Sequence, residues 1–163
     1  MEIKKKIIER QKEILSALVE YEESVAVLYH AYAKNFKEEF QFWESLSDAE
    51  KVHASLLRVF LNQVTSGSIF RNLGRFKVDD IQKMIQQNRK RVADVQKQSL
   101  SLFDALGIAL EIESSIIEAH FYDIVESDMA GYRQIAKKLS IETSQHRKMI
   151  KQKIIELNFG EKE

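Results

Sequence analysis

No proline occurs anywhere in the 163 residues, and glycine appears only at 67, 74, 107, 131 and 160. Proline lacks the amide hydrogen and clashes with the preceding turn, so it is the strongest breaker of a helix interior. A chain of this length without one, rich in Ala, Leu, Glu, Lys and Gln, points to an all-α fold. The length suits one domain, residues 1–163, with one sizeable core.

Hydrophobic periodicity supports the same reading. Apolar residues at 8, 15, 18, 25, 29, 32 and 36 recur at spacings of three and four, which predicts a long helix from 2 to about 34. A break near 35–38 precedes a second helix, 38–64, with inward positions 43, 46, 50, 53, 57 and 60. TSGSIFRNLGRF (65–76) reads as a connection. A polar helix follows over 78–95, with Asp79 and Asp80 suited to its first turn. KQSLS makes a break, and Ser101 with Asp104 has the spacing of a capping box. The third long helix is expected over 101–126, with inward positions 102, 106, 109, 113, 117, 120 and 124. A turn at 127–131 leads to the last helix, 132–157, with inward positions 135, 139, 142, 146, 149 and 153. Two helical hairpins joined by one long crossover containing an extra helix correspond to the ferritin-like antiparallel four-helix bundle. A faint internal repeat agrees: residues 20–53 align without gaps to 113–146, and LSDAEKVH falls on LSIETSQH.

Composition removes several classes of function. Basic and acidic residues number 25 each, so there is no basic excess of the kind nucleic-acid binders carry. The IKKKIIERQK segment near the start interleaves its charges with apolar residues and reads as the solvated face of a helix, not a membrane or nucleic-acid arm. There is no cysteine. That excludes disulfides, thiolate metal sites, iron–sulfur clusters and a cysteine nucleophile. No apolar leader and no run of about 18 apolar residues is present, so a cytoplasmic location without a spanning helix is expected.

Polar residues interrupt the inward stripes. Glu22 falls on the first, with Glu20 and Glu23 to either side. Glu50 and His53 fall on the second, Glu113 on the third, Glu142 and His146 on the fourth. Stripe phase selects Glu142 over Thr143, the residue that the repeat aligns with Glu50. Charged residues are rarely buried unless paired or coordinating a metal. Glu22 and Glu50 lie equally far from the first turn, Glu113 and Glu142 equally far from the second, so each pair shares a level of its hairpin. His53 and His146 follow their glutamates by three and four residues, on the same face. Four carboxylates in an apolar core repel one another, and two divalent cations remove that penalty with about four positive charges. Mixed oxygen and nitrogen donors suit iron or manganese better than calcium. One Glu from each of two helices, with Glu and His from each of two others, is the di-metal arrangement of such bundles. Tyr29, seven residues after Glu22 on the same stripe, is a candidate redox or hydrogen-bonding tyrosine. His120 lies about 10 Å along the helix from Glu113 and reads as core. His30 is off the stripe and reads as exposed. Trp43, Phe36, Phe40, Phe42 and Phe121 read as packing.

With EESVAVLY (Glu22 and Tyr29), FWESLSDAEKVHASLL (Glu50 and His53), ALEIES (Glu113) and SIETSQH (Glu142 and His146), the chain resembles the rubrerythrin-like branch of the ferritin-like superfamily over residues 10 to 155. The resemblance implies a non-haem di-iron centre that reacts with peroxide or dioxygen, in a peroxidase, ferroxidase or oxidase, often as a homodimer. The pattern departs from the family's in three places. The rubredoxin-like cysteine-ligated iron of rubrerythrins is missing, so electrons are expected from a separate donor protein. The additional carboxylate that rubrerythrins carry one turn after the third-helix ligand falls here on Ile116 or Ile117. The fourth helix spaces Glu and His by four residues, not three. The leading expectation is a di-iron oxidoreductase with two Fe ions, Mn or a mixed pair being alternatives. An iron-handling ferroxidase and a non-enzymatic helical metal-binding module stand beside it.

Overall fold

Long runs without a helix breaker become long helices. The computed structural model describes residues 1–70, 73–97, 99–119 and 130–160. Its helices are α1 (Glu2–Asn35), α2 (Phe40–Thr65), α3 (Val78–Lys97), α4 (Leu102–Glu113), α5 (Ile116–Ala119) and α6 (Ala130–Gly160), with short 3-10 turns at Lys37–Glu39 and Leu73–Arg75. The described residues contain no strand, as expected of an all-α chain. Among them, no helix is long and apolar enough to cross a membrane.

α1 packs along both α2 and α3, α4 and α5 pack on α6, and α2 meets α6. The inward positions expected for α2 are all buried, as are 15, 18, 22, 25, 29 and 32 of α1. Trp43 is fully buried against Tyr32 and Tyr29, with ring centroids 4.8 and 5.7 Å away. Phe36 and Phe42 are partly buried beside this core, whereas Phe40 is exposed. α2 ends at a turn in which Gly67 has φ +104°, a conformation that a Cβ would strain. The crossover is then fastened to α1 by two hydrogen bonds between the buried Gln11 amide and the Phe70 backbone, 2.9 and 3.1 Å. α3 turns Ile81, Ile85, Asn88 and Val95 inward. Ser101 caps α4 through the expected box, its hydroxyl accepting from the Asp104 amide at 3.0 Å.

Two expectations need correction. The first is the single helix over 101–126, which breaks within the described residues. Ser114 ends α4, Ser115 N donates to the Ile112 carbonyl in a tightened turn, and the helix restarts at Ile116. The freed Glu113 carbonyl accepts from Arg147 Nη1 of α6 at 3.0 Å. The second is the inward face of the last helix, which is turned by about one residue. Ala136, Leu139, Thr143, His146 and Ile150 are buried, while Met149 is 43% exposed. The helix also begins at Ala130, inside the expected turn. His120, Phe121, position 124 and most of that turn lie outside the described residues.

Candidate metal centre

Five helices bring seven chemistry-bearing side chains to one layer. Glu22 comes from α1, Glu50 and His53 from α2, Glu113 from α4, Glu118 from α5, and Glu142 and His146 from α6. Glu20 and Glu23, the acidic neighbours of Glu22, instead face outward and pair with Arg89 and Arg58. His30 is half-buried and pairs with Glu44 at 2.7 Å.

The cluster divides into two groups that share Glu50. One ligand atom from each of Glu22, Glu50, His53 and Glu118 lies within 4.8 Å of the others. The same holds for Glu50, Glu113 and His146. Glu50 Oε2 accepts from His53 Nδ1 at 3.1 Å, and its Oε1 lies 3.4 Å from His146 Nδ1. The two imidazole rings stack with centroids 5.7 Å apart. Tyr29, wedged against Trp43, donates its hydroxyl to Glu113 Oε1 at 2.9 Å.

Five of the six residues singled out from the sequence therefore belong to these groups, and Glu142 stands at the rim. Its side chain is 27% exposed, and its Oε2 accepts from His53 Nε2 at 3.0 Å. Thr143 occupies the buried position, with its hydroxyl 3.3 Å from Glu118 Oε2 and 2.9 Å from the Leu139 carbonyl. The repeat, which aligned Thr143 with Glu50, had the phase of α6 right, and the apolar stripe had it wrong.

Glu118 is the residue that sequence reasoning missed. In an unbroken helix a residue five positions after Glu113 points about 140° away from it. The break at Ser114–Ser115 resets the phase, and Glu118 turns inward beside Glu22. The signal lay in the serine pair itself. Serine hydroxyls compete for backbone hydrogen bonds in the middle of a helix.

Electrostatics bind the layer into one unit. Burial and the Glu118 and Glu50 carboxylates push Glu22 well above the ordinary carboxylate range. Burial and Glu50 raise Glu113 to about 7, and burial with Glu50 and Glu113 raises Glu118 to about 8. Burial acts on Glu50 in the same direction, but the His146 and His53 imidazoles outweigh it and hold that carboxyl well below its usual value. Burial opposes the charged form of both histidines. Even so, Glu50 holds His53 up to about 9, and Glu113 with Glu50 holds His146 up to about 10. Protonated imidazoles and carboxyls are therefore packed together where divalent cations would displace those protons.

The donor atoms fit a metal pair. Glu22 Oε2, Glu50 Oε1, Glu113 Oε2, Glu118 Oε1 and His146 Nδ1 are all buried without a hydrogen-bond partner among the described residues. A buried polar atom left unpaired costs about 1–3 kcal/mol. Two of the five, Glu50 Oε1 and His146 Nδ1, face each other at 3.4 Å as an ion pair, and the others are carboxylate oxygens of the same layer. Comparison with known protein families, with curated proteins and with solved structures finds no match for this chain.

Proposed function

We propose that the chain is a ferritin-like di-metal carboxylate protein of the rubrerythrin-like kind, an oxidoreductase that holds two iron ions and reacts with peroxide or dioxygen. In this reading α1–α2 and α4–α6 are the two hairpins of the bundle, and α3 lies in the crossover. Manganese or a mixed pair would suit the same donors. The observation that carries the reading is the two buried groups of carboxylate and imidazole donors that share Glu50.

The residues divide the work. Glu22, His53 and Glu118 would hold one ion, Glu113 and His146 the other, and Glu50 both. Glu118 then takes the part of the additional rubrerythrin carboxylate that had been expected at Ile116 or Ile117. His53 faces the cluster through Nδ1 and donates Nε2–H to Glu142, an arrangement that fixes tautomer and ring orientation in metal sites. Glu142 thus serves as the outer partner of His53. Tyr29 positions Glu113 and keeps a transferable proton beside it. A bound iron pair supplies the Lewis acidity and the electrons for reducing peroxide or dioxygen. With no cysteine in the chain, a separate donor protein would return those electrons. A cytoplasmic homodimer is part of the same reading.

Anaerobic reconstitution with Fe(II), followed by metal analysis, tests this. About two ions per chain are expected, with optical changes on adding peroxide. Protein that retains no stoichiometric metal would overturn the reading.

A further inference from the structure

One chain of aromatic rings in the core touches the carboxylate layer at one end and nears the surface at the other. Tyr29, Trp43 and Tyr32 are fully buried, and the Trp43 ring lies 5.7 Å from Tyr29 and 4.8 Å from Tyr32 between centroids. Trp43 also meets Phe42 edge-on at 5.2 Å. Phe42 is only partly buried. Lys153 of α6 holds its Nζ 5.2 Å from the Phe42 centroid and pairs with Glu39 at 2.8 Å. A single ring therefore stands between Trp43 and a part-exposed ion pair at the turn that joins α1 and α2.

The polar atoms of the three oxidisable rings differ. The Tyr29 hydroxyl donates to Glu113 Oε1 at 2.9 Å. The Tyr32 hydroxyl and Trp43 Nε1 are buried without a partner among the described residues. A phenol or an indole that loses an electron becomes strongly acidic. Where an acceptor lies within hydrogen-bond reach, the proton leaves with the electron, and the neutral radical that remains is far easier to form. Tyr29 has that acceptor. Tyr32 lies nearer to Trp43 and lacks one, and Trp43 exchanges an electron while keeping its proton. An electron vacancy on Trp43 is therefore filled from Tyr29, not from the closer Tyr32.

We propose that Trp43 and Tyr29 form a one-electron relay between the α1–α2 turn and the carboxylate layer. The destination of the electrons rests on the metal-centre reading above, and the relay supplies the route by which a separate donor returns them. When the oxidised layer takes an electron from Tyr29, the phenolic proton passes to Glu113 Oε1 and a neutral tyrosyl radical is left. Trp43 refills it with one electron, the proton returns from Glu113, and the indole becomes a radical cation. A one-electron carrier such as ferrous haem, arriving at the Phe42 end, restores the indole and is itself oxidised. One electron moves inward in all, and the proton only shuttles between Tyr29 and Glu113.

The chain has no cysteine and a single tryptophan, so a label can be attached and the indole replaced each at one position only. Ser45→Cys, exposed and one turn from Phe42 on α2, takes a ruthenium tris-bipyridyl maleimide. Flash oxidation of this label in chelator-stripped protein, with a cobalt(III) ammine keeping the released electron, should produce a neutral tyrosyl radical by optical and electron paramagnetic resonance spectroscopy. The radical should be lost in Tyr29→Phe and kept in Tyr32→Phe. Trp43→Phe should slow its formation by about tenfold or more. Should Trp43→Phe fail to fold, replacing the one tryptophan with a fluorinated analogue keeps the ring and makes it harder to oxidise, and a slowing of about tenfold is expected. A tyrosyl radical that survives Tyr29→Phe, or one whose formation is indifferent to both changes at position 43, overturns the proposal. The flash experiment needs no metal, so a radical on Tyr29 in protein that binds no iron supports the relay and overturns the metal-centre reading.

Discussion

The α1–α2 hairpin and the α4–α6 half bring the same residue types to one layer by different means. In α1 and α2 the inward stripe runs unbroken, and Glu22, Glu50 and His53 lie on it at ordinary helical spacing. In the other half the helix stops at Ser114, restarts at Ile116, and is held there by Arg147 reaching from α6 to the Glu113 carbonyl. That break brings a second carboxylate from the same segment, Glu118, into the layer. A continuous helix supplies inward residues only at its own period. A capped interruption supplies one that the period forbids.

The largest expected effect tests whether the halves depend on one shared group. Glu50→Gln should abolish stoichiometric metal binding. It should also destabilise the chelator-stripped protein by about 3–5 kcal/mol in urea unfolding, because His53 and His146 lose their common counter-ion. A loss under about 1 kcal/mol would mean that the second half holds its histidine independently, through Glu113.

The next effect is on pH. Glu113 and Glu118 titrate near 7 and 8 when folded, and His53 and His146 near 9 and 10, all above their unfolded values. The folded state therefore holds more protons than the unfolded one. Stability of stripped protein should be fully present near pH 4.5 and fall by a few kcal/mol as pH rises through 7 and 8, and further towards 10. On the proposed reading metal would replace those protons, so affinity should rise with pH over the same window, with proton release measurable by calorimetry in two buffers. A flat stability profile would show that the layer is not coupled across the halves.

A smaller effect separates the inner from the outer carboxylate of the second half. Glu142→Gln should weaken metal binding by about 10–100-fold, as expected for a partner of a ligating histidine. Glu118→Gln should weaken it more. Titration calorimetry that returns the reverse order would put Glu142 in direct coordination, as the apolar stripe suggested. The smallest effect lies at the contact between the halves. Tyr29→Phe removes one hydrogen bond from α1 to Glu113 and should cost about 1 kcal/mol.

By itself the sequence determined the helical class, the order of the helices down to the start of α4, the capping box at Ser101, the inward faces of α1 and α2, and that Glu22, not Glu20 or Glu23, faces inward. These follow from local rules: a missing proline, cap spacing, and a hydrophobic period read over an uninterrupted helix. Only the tertiary structure decided the inward face of α6, with Thr143 inside and Glu142 at the rim, and the presence of Glu118. Period arithmetic adds a fixed rotation for each residue, so it fails wherever a helix is interrupted. The interruption at Ser114–Ser115 is capped by Arg147, more than thirty residues away in the chain, and no reading of the local segment contains that contact.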